Sequence, residues 1–303
     1  MRTSIQGLSW YVRRGLHHEE PGYYYRDALH LPLYGHTAAW PDWADRGAVF
    51  IFRCGAAQEF EFLRGDVEPV TPSEPEGAPI VPVFRTYDLD ATLERVLGGG
   101  AKLVDDRSGP YGRTAYVAVP GGYLDALRQP AGASGNPVDQ AALAEHGAGG
   151  ARVNGIAAMP AEMLDVGWIQ LHVADVASEM AFYRDVVGLE VLDDRGGDGA
   201  LLYMGDLGCL EISPGGRTET PVSDRALAAD MWMLRVQDLD GLVADLDRAG
   251  VRWINRPFEM TGGVLAYFAD PEGHIVGIQT HENDGRVQES EASSRWAAGT
   301  YRL

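Results

Sequence analysis

The chain repeats itself, and that constrains its fold more than any other feature. Tyr25-Arg26-Asp27 returns as Tyr183-Arg184-Asp185, 158 residues later. Glu61 in EFEFL returns as Glu211 in CLEIS, and Asp88-Leu89-Asp90 as Asp238-Leu239-Asp240, both at a spacing of 150. AYVAVPGG at 115–122 returns as AYFADPEG at 266–273, at 151. Four blocks in one order, at nearly one spacing, mean two copies of one unit. The drop from 158 to 150 puts an insertion in the first copy after its first helix, near 36–46. Between the copies, 129–160 is rich in Gly, Ala and Pro and reads as a linker. Within it, Asn136-Pro137 can cap a short helix, with proline at the first helical position. The expected layout is a first domain over 1–130, a linker over 131–162, a second domain over 163–285 and a polar tail over 286–303.

The second copy is the cleaner one. Trp168–Val173 reads as a strand, and Val176–Val187 as a helix with Val176, Met180, Tyr183 and Val187 at spacings of three and four. Leu201–Met204 and Cys209–Ser213 read as strands around the Gly205–Gly208 turn. The pattern then restarts: a strand at Met231–Val236, a helical stripe of Leu239, Leu242, Val243 and Leu246, and a C-cap at Gly250. Strands follow at Trp253–Ile254, Val264–Ala269 and Ile275–Thr280, with Asp270-Pro271-Glu272-Gly273 as a turn. Each copy is thus a strand–helix–strands module written twice. Sheets covered by helices on one face leave the other for a concave cavity.

Composition narrows the partners. The 303 residues are 45% hydrophobic, enough for packed cores. A net charge of −19 would repel nucleic-acid backbones and anionic membranes. Cys54 and Cys209 form no CxxC and no disulfide framework, and both read as small core residues. The N-terminus MRTSIQGLSW lacks an apolar targeting region, and no apolar run is long enough to span a bilayer. A cytoplasmic protein, monomeric or homodimeric, is the expectation.

The helix FYRDVVGLEV, the strand LEI at 210–212, the segment RVQDLDGLVADLDRAGV and the turn YFADPEGHIVGI together resemble the vicinal oxygen chelate superfamily, the glyoxalase, bleomycin-resistance and extradiol dioxygenase proteins. The resemblance covers nearly all of the second copy and, more loosely, the first. It implies an α+β fold of two tandem domains, each of paired βαβββ modules forming a half-barrel cavity. It leaves function open, because the superfamily spans isomerases, dioxygenases, thiol transferases and metal-free drug-binding proteins.

Metal-dependent members hold a divalent ion (Fe, Mn, Ni or Zn) with a His on the first strand, a Glu ending the first module, a His opening the second module and a Glu after its turn. Such a site needs several converging N and O donors with open positions for substrate. In the second copy these positions carry His172, Glu211, Met231 and Gly277. In the first, the first-strand position falls near Tyr11 or Arg13, followed by Glu61, Val81 and Ala126. If the site were shared between halves of different domains, His172 and Glu211 would meet Val81 and Ala126. Either way only two of four ligands are present, so the expectation for this chain is a divalent metal (Fe, Mn, Ni or Zn) held weakly or no metal at all.

His172 and Glu211 are therefore the candidate catalytic pair, as a residual metal pair or a His–carboxylate acid/base couple. Trp168 and Gln170 alternate with His172 on one strand face, as do Met231, Met233 and Arg235 on another, with Gly277, Gln279 and His281 on a third. Trp168, Gln170, Met231, Met233, Arg235 and Gln279 are the expected substrate contacts in a cavity of the second domain, with ordinary core packing as the competing role. Other features read as structural. His17-His18-Glu19-Glu20 reads as a solvated loop, His274 as a surface residue, and His30, His36 and His146 have no nameable partners. Tyr23-Tyr24-Tyr25 with Trp40 and Trp43 reads either as a lid over a ligand or as packing.

Two functions stay open. One is an enzyme that isomerises, lyses or rearranges a small organic substrate, aromatic or polyketide-like, with His172 as base or ligand. The other is a metal-free binding protein that sequesters such a molecule.

Overall fold

The computed structural model describes residues 5–17, 19–36, 49–54, 59–69, 71–132, 136–147, 163–205, 208–216, 228–260 and 263–280. These form four βαβββ modules. The first holds β1 (Ile5–Gly15), α1 (Glu19–Asp27), β2 (Leu33–His36), β3 (Val49–Arg53) and β4 (Glu59–Arg64). The second holds β5 (Ile80–Thr86), α2 (Leu89–Gly98), β6 (Lys102–Gly109), β7 (Gly112–Val119) and β8 (Tyr123–Pro130). After the connecting helix α3 (Pro137–Gly147) come β9 (Met163–Val173), α4 (Val176–Phe182), β10 (Glu190–Asp194), β11 (Ala200–Gly205) and β12 (Gly208–Pro214). The fourth module is β13 (Asp230–Val236), α5 (Leu239–Ala249), β14 (Arg252–Met260), β15 (Gly263–Ala269) and β16 (Ile275–Gln279).

Local chemistry explains the boundaries. Asp88, Asp175 and Asp238 precede α2, α4 and α5, and each side chain accepts from a backbone N–H three residues on, satisfying one orphan donor of the first turn. Leu239, Leu242 and Leu246 give α5 its buried stripe, and Gly250, at φ 71, ends it as a left-handed cap. Asn136 Oδ1 accepts from the N–H groups of Val138 and Asp139, so α3 starts where Asn136-Pro137 predicts. β14 runs nine residues, well beyond the Trp253–Ile254 expected, and β10 was not foreseen. Both are edge strands, half exposed and rich in charge, so neither shows an apolar pattern.

The modules assemble into two open eight-stranded sheets, in the α+β arrangement of tandem half-barrels. Sheet A runs β14-β15-β16-β13-β1-β4-β3-β2, and sheet B runs β10-β11-β12-β9-β5-β8-β7-β6. Each sheet takes one module from each sequence copy, joined by the antiparallel pairs β1–β13 and β5–β9. This is the shared arrangement. A single hydrophobic cluster spans one face of both sheets and their helices, from Tyr11, Phe60 and Phe84 to Leu210, Trp232 and Phe268. Tyr24 and Tyr25 belong to it, and Tyr25 packs 4.7 Å from the Phe60 ring. They are core residues, which corrects the lid reading for them; Trp40 and Trp43 lie outside the described residues. Each sheet carries a smaller cluster on its other, inner face.

Candidate functional site

Strand alternation sorts the predicted site residues onto these inner faces. On sheet B, β9 presents Trp168, Gln170 and His172, and β12 presents Glu211, in parallel register with Gln170. Met231, Met233, Arg235 and Gln279 lie on β13 and β16 of sheet A. The expectation of one second-domain cavity holding all of them is thereby corrected. β9 and β13 each pair with a strand of the other copy, so the predicted residues divide between two faces. The first-strand position of the first copy is also corrected. Glu61 is level with Val12, as Glu211 is with Gln170, which makes Arg14 the counterpart of His172. Tyr11 and Arg13 point to the opposite, core face.

Sheet B places His172, Glu211, Val81 and Ala126 on one face, and this donor set does not fit a divalent ion. Two positions offer hydrocarbon only. Glu211 is already engaged: Arg128 Nη2 donates to its Oε2 at 3.1 Å, Gln170 Nε2 to the same oxygen at 2.8 Å, and Arg195 Nη2 to Oε1 at 3.3 Å. Burial alone would raise the Glu211 carboxyl; Arg128 foremost, with Gln170 and Arg195, holds it below the usual carboxylate range. The corresponding set on sheet A is Arg14, Glu61, Met231 and Gly277. Arg14 Nη1 meets the Met231 sulfur at 3.2 Å, and a Cβ on Gly277 would lie 2.3 Å from Met233 Cγ, so Met233 fills the space a fourth ligand would need. On the same sheet Gln279 donates to Ser9, and the Tyr267 hydroxyl lies 3.7 Å from the Met233 sulfur.

His172 and Glu211 do not form an acid/base couple by direct contact. His172 is 3% exposed, and its Nδ1 lies 2.7 Å from the Ala78 carbonyl oxygen. A carbonyl only accepts, so Nδ1 carries the proton and Nε2 of the neutral ring is the basic nitrogen. Burial lowers the His172 pKa, partly offset by the Ala78 carbonyl, Glu76 and Glu211. The folded state therefore binds this proton less readily than the unfolded chain, and stability is lost as pH falls below about 6.5. Urea midpoints between pH 8 and 5 should fall more steeply for the wild type than for His172→Gln; parallel curves would show that His172 charges freely in the fold.

The rest of the sheet B face is a continuous polar network that the sequence reading missed. The Arg128 guanidinium stacks 3.7 Å above the Trp168 ring centroid, and its Nε donates to Thr114. Trp168 Nε1 donates to Asp139 of α3 at 3.1 Å, and Asp139 also accepts from Arg85, which is paired to Asp165. Helix α3 is thus docked on the inner face by buried charge. The β5–β9 register skips Gly167, where a Cβ would stand 2.1 Å from Arg85 Nε. Tyr116 donates to Gln170 Oε1, completing the chain to Glu211. Arg128 follows Ala126 by two and Arg85 follows Val83 by two, so alternation alone could have placed both guanidinia on this face.

Asp270 and His274 also depart from expectation. Asp270 is 5% exposed, accepts from the Tyr183 hydroxyl at 2.8 Å and lies 2.8 Å from His274 Nδ1, so the turn is more than turn chemistry and His274 is not a free surface residue. Glu179 of α4 joins them. Burial, with Asp270 beside it, pushes the Glu179 carboxyl up to about 9. His17, Glu19 and Glu20 are exposed, as a solvated segment requires.

Four βαβββ modules in two half-barrels give the chain a tandem architecture. Residues 165–278, most of the second copy, match the family described as Glyoxalase/Bleomycin resistance protein/Dioxygenase superfamily. Among solved structures it resembles a candidate dioxygenase from Bacillus subtilis subsp. subtilis str. 168, at 11% identity and a TM-score of 0.67, covering 97% of this chain and 90% of that one. It also resembles glyoxalase I from Zea mays, at 17% identity and a TM-score of 0.61, covering 91% and 92%. At these identities the likeness is one of fold. No curated protein matches the sequence. No helix among the described residues is long and apolar enough to cross a membrane.

Proposed function

We propose that the protein binds a small, flat organic molecule bearing oxygen acceptors on the inner face of sheet B, without a metal at His172 and Glu211. One observation carries this. Arg128 Nη1 is buried and has no hydrogen-bond partner among the described residues, while the same guanidinium is fixed by Glu211, Thr114 and the Trp168 ring. A buried charged donor left without an acceptor costs free energy that a ligand oxygen would recover. Arg195, 27% exposed and stacked on Tyr111, and Arg107, stacked on Tyr116, add guanidinia backed by aromatic rings. In this reading Glu211 orients guanidinia, and Trp168 and Gln170 support them. Met231, Met233, Arg235 and Gln279 serve sheet A.

A second reading rests on His172. A neutral imidazole with its tautomer fixed by Ala78 is suited to act as a general base, which would make the protein an enzyme of the isomerase or lyase type. An aromatic anion, 1-anilinonaphthalene-8-sulfonate, tests the binding proposal. Fluorescence titration should give one site that is indifferent to EDTA and is weakened about tenfold in Arg128→Lys, which keeps the charge but loses the fork. Affinity lost in EDTA and restored by Mn²⁺ in the wild type, but not in His172→Ala, would replace this proposal with a metal centre. Affinity unchanged in Arg128→Lys would place the ligand elsewhere.

A further inference from the structure

The junction between α4 and the β15–β16 turn contains a cluster that the inner faces do not use. Glu179, Asp270 and His274 each bring one ligand atom to within 4.8 Å of the others. Glu179 is fully buried and Asp270 nearly so. Glu179 Oε1 accepts from the Glu272 backbone N–H at 2.8 Å, but Oε2 is buried with no hydrogen-bond partner among the described residues. The charges acting most strongly on Glu179 are those of Asp270, Glu272 and Asp175, all acidic. Two carboxylates and an imidazole are a donor set for a divalent first-row ion, whose two positive charges would balance both carboxylates at once.

The other copy serves as an internal control. The repeat spacings map Glu179, Asp270 and His274 onto Pro21, Val119 and Tyr123. The same junction forms there, since a Cβ on Gly121 would sit 2.5 Å from Pro21 Cγ, yet it is closed by apolar packing. The fold therefore does not require polar residues at this crossing. The second copy places a hydrogen-bonded acid–histidine pair and an unpartnered carboxylate oxygen where the first uses proline and valine.

We infer that Glu179, Asp270 and His274 bind a divalent transition-metal ion, Mn²⁺ or Zn²⁺, that clasps the third module to the fourth. The Tyr183 hydroxyl, donating to Asp270 Oδ2, and the Glu272 N–H, donating to Glu179 Oε1, hold the two carboxylates in place around it. The site lies on the helix side of the sheets, so it concerns assembly of the modules and is separate from ligand binding on the inner face of sheet B.

Calorimetric titration of chelator-stripped full-length protein with MnCl₂ or ZnCl₂ should give one ion per chain. At a metal concentration a hundredfold above Kd, the Tm should rise by about 5 °C. Both effects should survive in His172→Ala and disappear in Glu179→Gln and His274→Ala. Glu179→Gln is chosen because it keeps the shape and the Glu272 contact. Should that variant misfold, His274→Ala, at a half-buried position, carries the test alone. Binding lost in His172→Ala but kept in Glu179→Gln would move the metal to the inner face and overturn this assignment. No heat and no Tm change at millimolar metal would overturn it outright, leaving a protonated Glu179 as the resting state of the junction.

Discussion

Arg13→Met should destabilise the protein by about 3–5 kcal/mol, the range for removing one partner of a buried ion pair. Arg13 has no exposed surface, and its Nη1 donates to Asp125 and to the Tyr25 hydroxyl, each at 2.5 Å. Its Nη2 donates to the Leu124 carbonyl at 2.8 Å, and its Nε to Asp230 at 2.7 Å. Asp230 lies on sheet A with Arg13, while Asp125 and Leu124 lie on sheet B. One guanidinium thus latches the two sheets through their shared core. Without it Asp125 is a buried carboxylate whose only described side-chain partner is a phenol. Burial already raises the Asp125 carboxyl despite Arg13, so the variant should take up a proton there on folding. A group raised in the folded state loses stability as pH climbs through its folded pKa, so the deficit should be larger at pH 7 than at pH 4. Urea midpoints at the two pH values measure this. Arg13→Met combined with Asp125→Leu should recover much of the loss, because replacing both partners leaves no unpaired charge. A deficit below about 1 kcal/mol would mean that the latch contributes no more than an exposed pair.

Arg13 also marks the limit of what the sequence discloses. The repeat spacings suffice for the modules and the fold, because each block keeps its local chemistry: an aspartate cap, a leucine stripe, a glycine stop. Crosswise pairing is different. It depends on which central strand β1 and β5 meet, and both Val81–Val83 and Met231–Met233 offer an apolar edge of similar pattern. The choice is made by contacts far apart in the chain, such as Arg13 with Asp125. The face of Arg13 itself turns on a one-residue register, since shifting a strand by one residue exchanges its faces. Glu211 was legible as a residue of the inner face but not in its role. Arg128 and Arg195, which neutralise it, come from a strand of the other copy and from the turn before β11. The junction of Glu179, Asp270 and His274 was hidden similarly. Asp270-Pro271-Glu272-Gly273 is sufficient as a turn, and only the contrast with Val119 and Tyr123 hints at more.

Arg85→Met should cost a similar amount, about 3–5 kcal/mol, with a further consequence at the proposed ligand face. Arg85 is fully buried; its Nε donates to Asp165 at 2.6 Å, its Nη2 to the other oxygen of Asp165, and its Nη1 to Asp139 at 3.1 Å. Burial opposes its charge, but Asp165 and then Asp139 outweigh burial and hold the guanidinium protonated. Methionine would fill the volume and leave two carboxylates facing each other across it. The weaker element should give way first. Helix α3 has eleven residues, too short to be stable alone, and Asp139 is its polar anchor to the sheet. Backbone amides of α3 should therefore lose hydrogen-exchange protection in Arg85→Met before those of β9 do. As α3 lifts, Trp168 loses its acceptor and the inner face of sheet B becomes open to solvent. The aromatic anion should then associate faster while being held less tightly, since the Trp168–Arg128 stack that positions the free donor is no longer fixed from behind. Undiminished protection of α3 in a destabilised variant would show that Val138 and Ala142, and not the buried ion network, hold the helix on the sheet.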